Sequence, residues 1–242
     1  MSNPKGPKPV FLLAGGPGSR RFDRDPVLGR AIESCGVTEP TIAYIGAASG
    51  DNKVFFKMIS TFMQRSGAGE VVLAPLAGRR VKIEKTREIL ESADMIFVSG
   101  GDVEEGMDAF EEHKILPFLI ELHAGGKPFA GLSAGSIMLA KEWVVWDDPN
   151  DDSTASLYPC MGLAPVLCDT HGEGEGWEEL QALLRLVPEG TEGFGITSGA
   201  GLVVYPDGAL EALGGPVNRF AKSGGRVVRA PDLVPSADLS SP

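Results

Sequence analysis

Five short apolar runs punctuate the first half of the chain: VFLLAGG at 10–16, TIAYIGAAS at 41–49, EVVLAPL at 70–76, ADMIFVSGG at 93–101 and KPFAGLSAG at 127–135. They are apolar throughout rather than alternating, which predicts strands buried on both faces. The segments between them, 51–66, 81–92 and 103–124, are long enough and polar enough on one side to be covering helices. Strands alternating with helices predict a doubly wound, mostly parallel α/β sheet with helices on both faces. Most of the runs close in Gly or Ser at the carboxyl edge, where open α/β sheets place their ligands.

After residue 143 the rhythm changes. VVWDDPNDDSTASLYPCMG is polar and turn-rich and reads as a surface loop, and VLCDTHGEGEG reads as a strand running into a glycine-rich turn. WEELQALLRLV at 177–187 has a helical pattern, and GFGITSG at 193–199 reads as a further sheet strand. GLVVYPDGALEALG predicts a C-terminal β-hairpin turning at Pro206-Asp207-Gly208. We expect one domain over residues 1–230 and a loose tail over 231–242, where apolar groups are too few to offset ordering entropy.

Composition narrows the function classes. The formal net charge of −11 disfavours nucleic acid and anionic membrane as partners, and no basic run concentrates positive charge. No apolar run approaches the roughly 20 residues that cross a bilayer, and the start MSNPKGPKPV lacks the apolar middle of a signal peptide. A cytoplasmic monomer or homodimer is expected. Cys35, Cys160 and Cys168 have neither the number nor the spacing of a disulfide framework or a zinc site, so no metal and no cofactor is expected. The 32 glycines among 242 residues show no repeat period and point to many tight connections.

The strongest chemical signal is Gly131-Leu132-Ser133-Ala134-Gly135, a G-x-S-x-G after an apolar run and before the helical SIMLAKEW. Small residues flank such a serine because a strand-to-helix elbow forces strained angles and close packing, lifting the Oγ out of the sheet. The N–H of Ala134 at the helix start is then placed to stabilise an oxyanion. The paired glycines of Ser99-Gly100-Gly101-Asp102 let the backbone approach a ligand and point an N–H at it, the geometry of a second oxyanion donor. Helix capping by Asp102 is compatible with that role.

A serine hydroxyl needs a base. Of three histidines, His113 and His123 fall in a predicted crossover helix and read as surface residues, whereas His171 sits at a strand-to-turn transition on the candidate active edge. Gly15-Gly16-Pro17-Gly18 lacks the Lys-Ser/Thr of a phosphate loop and reads as a tight βα connection. Trp143, Trp146 and Trp177 are expected in the core or under loops, with one a candidate wall of a substrate pocket.

VSGGD at 98–102, GLSAGS at 131–136, Asp169-Thr170-His171 and GFGITSGAGLVV at 193–204 together resemble the peptidase E and cyanophycinase family, serine peptidases on the class I glutamine amidotransferase-like fold. The resemblance covers roughly residues 8–215. It implies that Ser133 attacks, that His171 is the base, and that Gly101 with the Ala134 N–H forms the oxyanion hole. Two departures stand out. Gly195-Ile196-Thr197-Ser198-Gly199 carries no carboxylate where relatives place a glutamate that orients the histidine, so Ser198 is the leading candidate orienter, with Asp169 and Asp148 as carboxylate alternatives. Where relatives carry arginines after the histidine, this chain has Glu173, Glu175, Glu178 and Glu179. An acidic substrate side chain is therefore not expected, a free amino terminus or basic side chain suits the loop better, and Asp102, Thr170, Glu173 and Glu175 are candidate substrate contacts. Two rival readings remain: an α/β-hydrolase-type esterase using Asp148 or Asp169 as its acid, and a family relative that has lost catalysis and acts as a binding protein.

Overall fold

The computed structural model describes residues 6–15, 24–78, 81–149 and 151–236. Five strands lie parallel in the central sheet: β1 (Val10–Leu13), β2 (Ile42–Ile45), β3 (Val71–Leu73), β4 (Met95–Val98) and β5 (Phe129–Leu132). They are the five apolar runs of the first half of the chain. Two further strands, β10 (Gly201–Val204) and β11 (Leu210–Leu213), add antiparallel at one edge to give the order β11-β10-β1-β5-β4-β2-β3. They are the expected hairpin, turning where the Gly208 N–H donates to the Tyr205 carbonyl at 2.9 Å. Nearly every residue of β1, β2, β4, β5 and β10 is buried, whereas the edge strand β3 is only half-buried.

Helices α1 (Pro26–Glu33), α2 (Lys53–Arg65), α3 (Ile83–Ser92), α4 (Val103–Glu112), α5 (Leu116–Ala124) and α6 (Ala134–Leu139) cover the sheet. Asp25, Asn52 and Asp102 start α1, α2 and α4 by accepting first-turn N–H groups, a direct expression of N-cap chemistry. The stretch 103–124 is two helices rather than one. Lys114 adopts φ +50° between them and Pro117 occupies the first turn of α5, where a missing N–H does no harm.

Three expectations are corrected. The supposed surface loop after residue 143 is a β-hairpin, β6 (Glu142–Trp146) and β7 (Ala155–Pro159). The strands β8 (Leu167–Thr170) and β9 (Glu192–Ile196) do not join the central sheet. They pair parallel across helix α7 (Glu178–Leu186) and form a second sheet with β12 (Val217–Ser223) and β13 (Arg226–Leu233), in the order β13-β12-β9-β8. Strand β13 also runs into the expected tail as far as Leu233, held by Asp232, which accepts from Asn218 Nδ2 at 3.1 Å. The rest of the tail beyond residue 236 lies outside the described residues.

The two sheets meet near the carboxyl ends of β1 and β5. The Gly199 N–H donates to the Gly15 carbonyl at 2.6 Å, tying the turn after β9 to the end of β1. Trp177 is buried beneath β9 and donates through Nε1 to Asn218 at 2.9 Å, and Trp143 Nε1 meets Glu179 at 3.3 Å, so both pack as expected. All three cysteines are free thiols. Among the described residues no helix is long and apolar enough to cross a membrane.

Candidate functional site

Ser133 follows β5 directly and caps α6, with φ +54° and ψ −124°. Such angles cost a non-glycine residue about 1–3 kcal/mol and persist only where the surroundings over-determine them. Here the Ser133 N–H donates to the Leu13 carbonyl at 2.8 Å, and its carbonyl accepts from Ser136 at 2.8 Å. Glycine is required at 135 because a Cβ there would overlap the Val98 carbonyl of β4. The buried Ser136 hydroxyl completes the staple. It accepts from the Leu13 N–H at 2.8 Å and donates to the Leu13 carbonyl at 2.9 Å, locking α6 onto β1. Nothing in the sequence separates this serine from an ordinary helical one.

At the end of β4, Gly101 has φ +148°, and a Cβ there would overlap the Ala48 carbonyl. That carbonyl accepts from the Asp102 N–H at 2.7 Å, fixing the Gly101 backbone against the loop after β2. The loop is itself anchored by Asp51, whose Oδ2 accepts from the Leu76 and Ala77 N–H groups at 2.8 and 2.7 Å. A Cβ at the adjacent Gly100 would lie 3.0 Å from Ser133 Cβ, so the paired glycines run alongside the nucleophile candidate. Asp102 caps α4 by accepting from Glu105 at 2.9 Å.

His171 ends β8 in a left-handed conformation, φ +63°, and its Nδ1 lies 3.2 Å from Ser198 Oγ. With Nδ1 protonated and Ser198 accepting, Nε2 is left as the basic nitrogen. Behind Ser198 stands Glu173, whose Oε1 accepts the Ser198 N–H at 3.0 Å. Partial burial pushes the Glu173 carboxyl up, but bonds from the Ser198 hydroxyl and N–H and the nearby His171 outweigh it and hold it below its usual range. The histidine is thus linked to a carboxylate through a serine.

The other candidates go elsewhere. Asp169 is buried, accepts from the Thr170 N–H at 2.6 Å, and its carboxyl is pushed up to about 7 by burial and by Glu179. Asp148 sits at the tip of the β6–β7 hairpin, its main chain bonded to Thr154 and Asp151. His113 and His123 are not the surface residues expected: His113 is half-buried at the end of α4, and His123 is buried, with Nε2 3.0 Å from the Lys8 carbonyl and its ring edge-on to Phe129. Of the glycine run at 15–18, Gly15 is described and the rest lies outside the described residues.

Ser133 and His171 line one cavity of about 580 Å³ together with Leu132, Gly15, Gly199 and side chains of α1 and α2. Asp102, Thr170, Glu173, Glu175 and the three tryptophans are not among its lining residues. Sequence reasoning did not find the α1 and α2 wall, because no apolar pattern distinguishes a helix face over a cavity from one over the core.

The model of peptidase family S51 matches residues 10–211. Peptidase E of Pasteurella multocida is 33% identical over 84 residues, 32% of this chain and 36% of that protein. The PdxT subunit of pyridoxal 5'-phosphate synthase from a Geobacillus strain is 26% identical over 153 residues, 63% of this chain and 71% of that protein. The crystal structure of a peptidase from an acI-B1 actinobacterium superposes with a TM-score of 0.63 at 15% identity, covering 96% of this chain and 98% of that one.

Proposed function

The chain belongs to peptidase family S51 and is a peptidase, and from that premise we propose that it cleaves a small peptide or amide through an acyl-enzyme on Ser133. The observation that carries the proposal is the pairing of a strained serine elbow with a histidine whose Nδ1 is held by Ser198, both facing one cavity. In this reading His171 Nε2 takes the proton as the Ser133 Oγ attacks the substrate carbonyl. The N–H groups of Gly101 and Ala134 receive the developing oxyanion, the role their positions at the ends of β4 and β5 suit. His171 then gives the proton to the leaving amine, and water, deprotonated by the same nitrogen, releases the acid. Ser198 and Glu173 are positioning residues: the first holds the ring and the second sets a negative charge behind it.

The rival reading of a binding protein has in its favour that His171 Nδ1 meets a serine and not a carboxylate. The esterase reading is less well supported, because the partner shown on His171 Nδ1 among the described residues is the Ser198 hydroxyl. The test is Ser133→Ala, assayed by mass spectrometry on a dipeptide library with folding followed by circular dichroism. The proposal expects turnover by the wild type and none by the variant with an unchanged spectrum. Retention of more than a few per cent of wild-type turnover contradicts it.

A further inference from the structure

The cavity beside Ser133 is walled mainly by hydrocarbon. Phe55, Met58, Ile59 and Phe62 recur at helical spacing and present one stripe of α2 to it, and Val27 and Leu28 enter from the first turn of α1. Its volume of about 580 Å³ falls within the roughly 300–1,000 Å³ of small-molecule sites. Besides His171, Asp25 is the ionisable side chain among the described lining residues. Its Oδ1 is engaged by the Val27 and Leu28 N–H groups at 2.9 and 3.2 Å, so it belongs to the wall. Neither lysine nor arginine occurs among those residues.

We propose that this cavity selects substrates whose acyl residue, the one joined to Ser133 in the acyl-enzyme, has an apolar side chain of the size of Leu, Met or Phe. The inference rests on the reading of Ser133 as nucleophile. In that intermediate the side chain lies only a few bonds from the Ser133 Oγ, next to Leu132 and the mouth of the cavity. A carboxylate there gives up its hydration for hydrocarbon and faces Asp25, and no lysine or arginine among the described lining residues meets it. An ammonium meets one carboxylate already bonded on one oxygen and loses the same hydration. The acidic residues after His171 do not alter the balance, because Glu173 is committed to Ser198 and Glu175 lies outside the lining.

The experiment measures kcat/KM for leucyl, methionyl, phenylalanyl, aspartyl and lysyl coumarin amides on the full chain, in parallel with fluorophosphonate labelling of Ser133. The apolar amides are expected to exceed the aspartyl and lysyl amides by about 100-fold, the scale on which a hydrophobic pocket discriminates. Met58 is 48% exposed, so Met58→Lys is compatible with folding, and by placing a cation at the cavity it is expected to shrink the leucyl-to-aspartyl ratio at least tenfold. Labelled enzyme that prefers the aspartyl or lysyl amide, or a ratio untouched by Met58→Lys, overturns the specificity inference and leaves the nucleophile in place. Failure of Ser133 to label overturns both.

Discussion

Replacing Ser198 by Ala removes one hydroxyl and tests how the base is held. The Nδ1–Oγ distance is 3.2 Å and both residues are exposed, so water can take the hydroxyl's place. Between neutral groups such a bond contributes about 1 kcal/mol net, and to the imidazolium formed during attack about 1.5–3 kcal/mol. Only the excess in the transition state slows turnover, and roughly 1–2 kcal/mol corresponds to about 5–30-fold in kcat at 1.36 kcal/mol per tenfold. Loss of a carboxylate directly on the histidine costs about 10⁴-fold, so the two arrangements are separable by rate alone. Steady-state kinetics on the best amide should show kcat lowered 5–30-fold with KM nearly unchanged. Glu173→Gln keeps an acceptor for the Ser198 N–H but removes the charge, which exposed water screens, and should lower kcat about fivefold or less. The double variant should be no slower than about the worse single one, because both act through the same ring. A loss beyond 10³-fold in Ser198→Ala, or no loss within twofold, refutes the serine-linked arrangement.

Asp169 titrates near 7 in the folded chain because burial and Glu179 disfavour its charge, whereas an unfolded aspartate titrates near ~3.9. Between those values the native state binds the extra proton, so this group makes stability fall as pH rises from about 4 to 7, by an amount on the order of a few kcal/mol. Asp169→Asn should therefore gain melting temperature over wild type at pH 8 but not at pH 4, and an equal difference at both refutes the burial argument. Gly101→Ala forces a Cβ into the Ala48 carbonyl at φ +148°, and should either unfold the loop after β2 or cut kcat by at least about 100-fold, read by activity alongside hydrogen exchange at residues 46–51. Ser136→Ala leaves the Leu13 N–H without its partner in a buried site, while the Leu13 carbonyl keeps the Ser133 N–H, which should cost about 1–3 kcal/mol in urea denaturation.

The parts of this fold legible in the sequence are those governed by local pattern. Runs buried on both faces announce β1, β2, β4 and β5, and the elbow and its glycines announce themselves because backbone crowding at Gly101 and Gly135 admits no side chain. His171 was legible from its place after an apolar run. What escaped is set by distant pairing. Nothing in LCDT or GFGI states that β8 and β9 pair with each other across α7 instead of extending the central sheet. The hairpin at 142–159 was hidden because the turn residues of DDPNDDST dominate a segment whose flanking strands have five residues each. The helix break near 114 depends on one lysine taking a left-handed conformation, which composition does not signal. Ser198 was legible as the leading candidate partner of the histidine through the family resemblance, because it stands where relatives place a glutamate. Its link to Glu173 was not, since it requires a turn after β9 to fold back on the residues after β8.

The most direct measurement of the central claim is reaction of the wild-type chain with a fluorophosphonate, with the adduct located by peptide mass spectrometry and its rate followed against pH. The account predicts a single phosphonylated residue, Ser133, no labelling of Ser133→Ala, and a rate of labelling at least 100-fold lower in His171→Ala. Absence of any adduct on folded protein, or an adduct at Ser133 formed equally fast without His171, would contradict it.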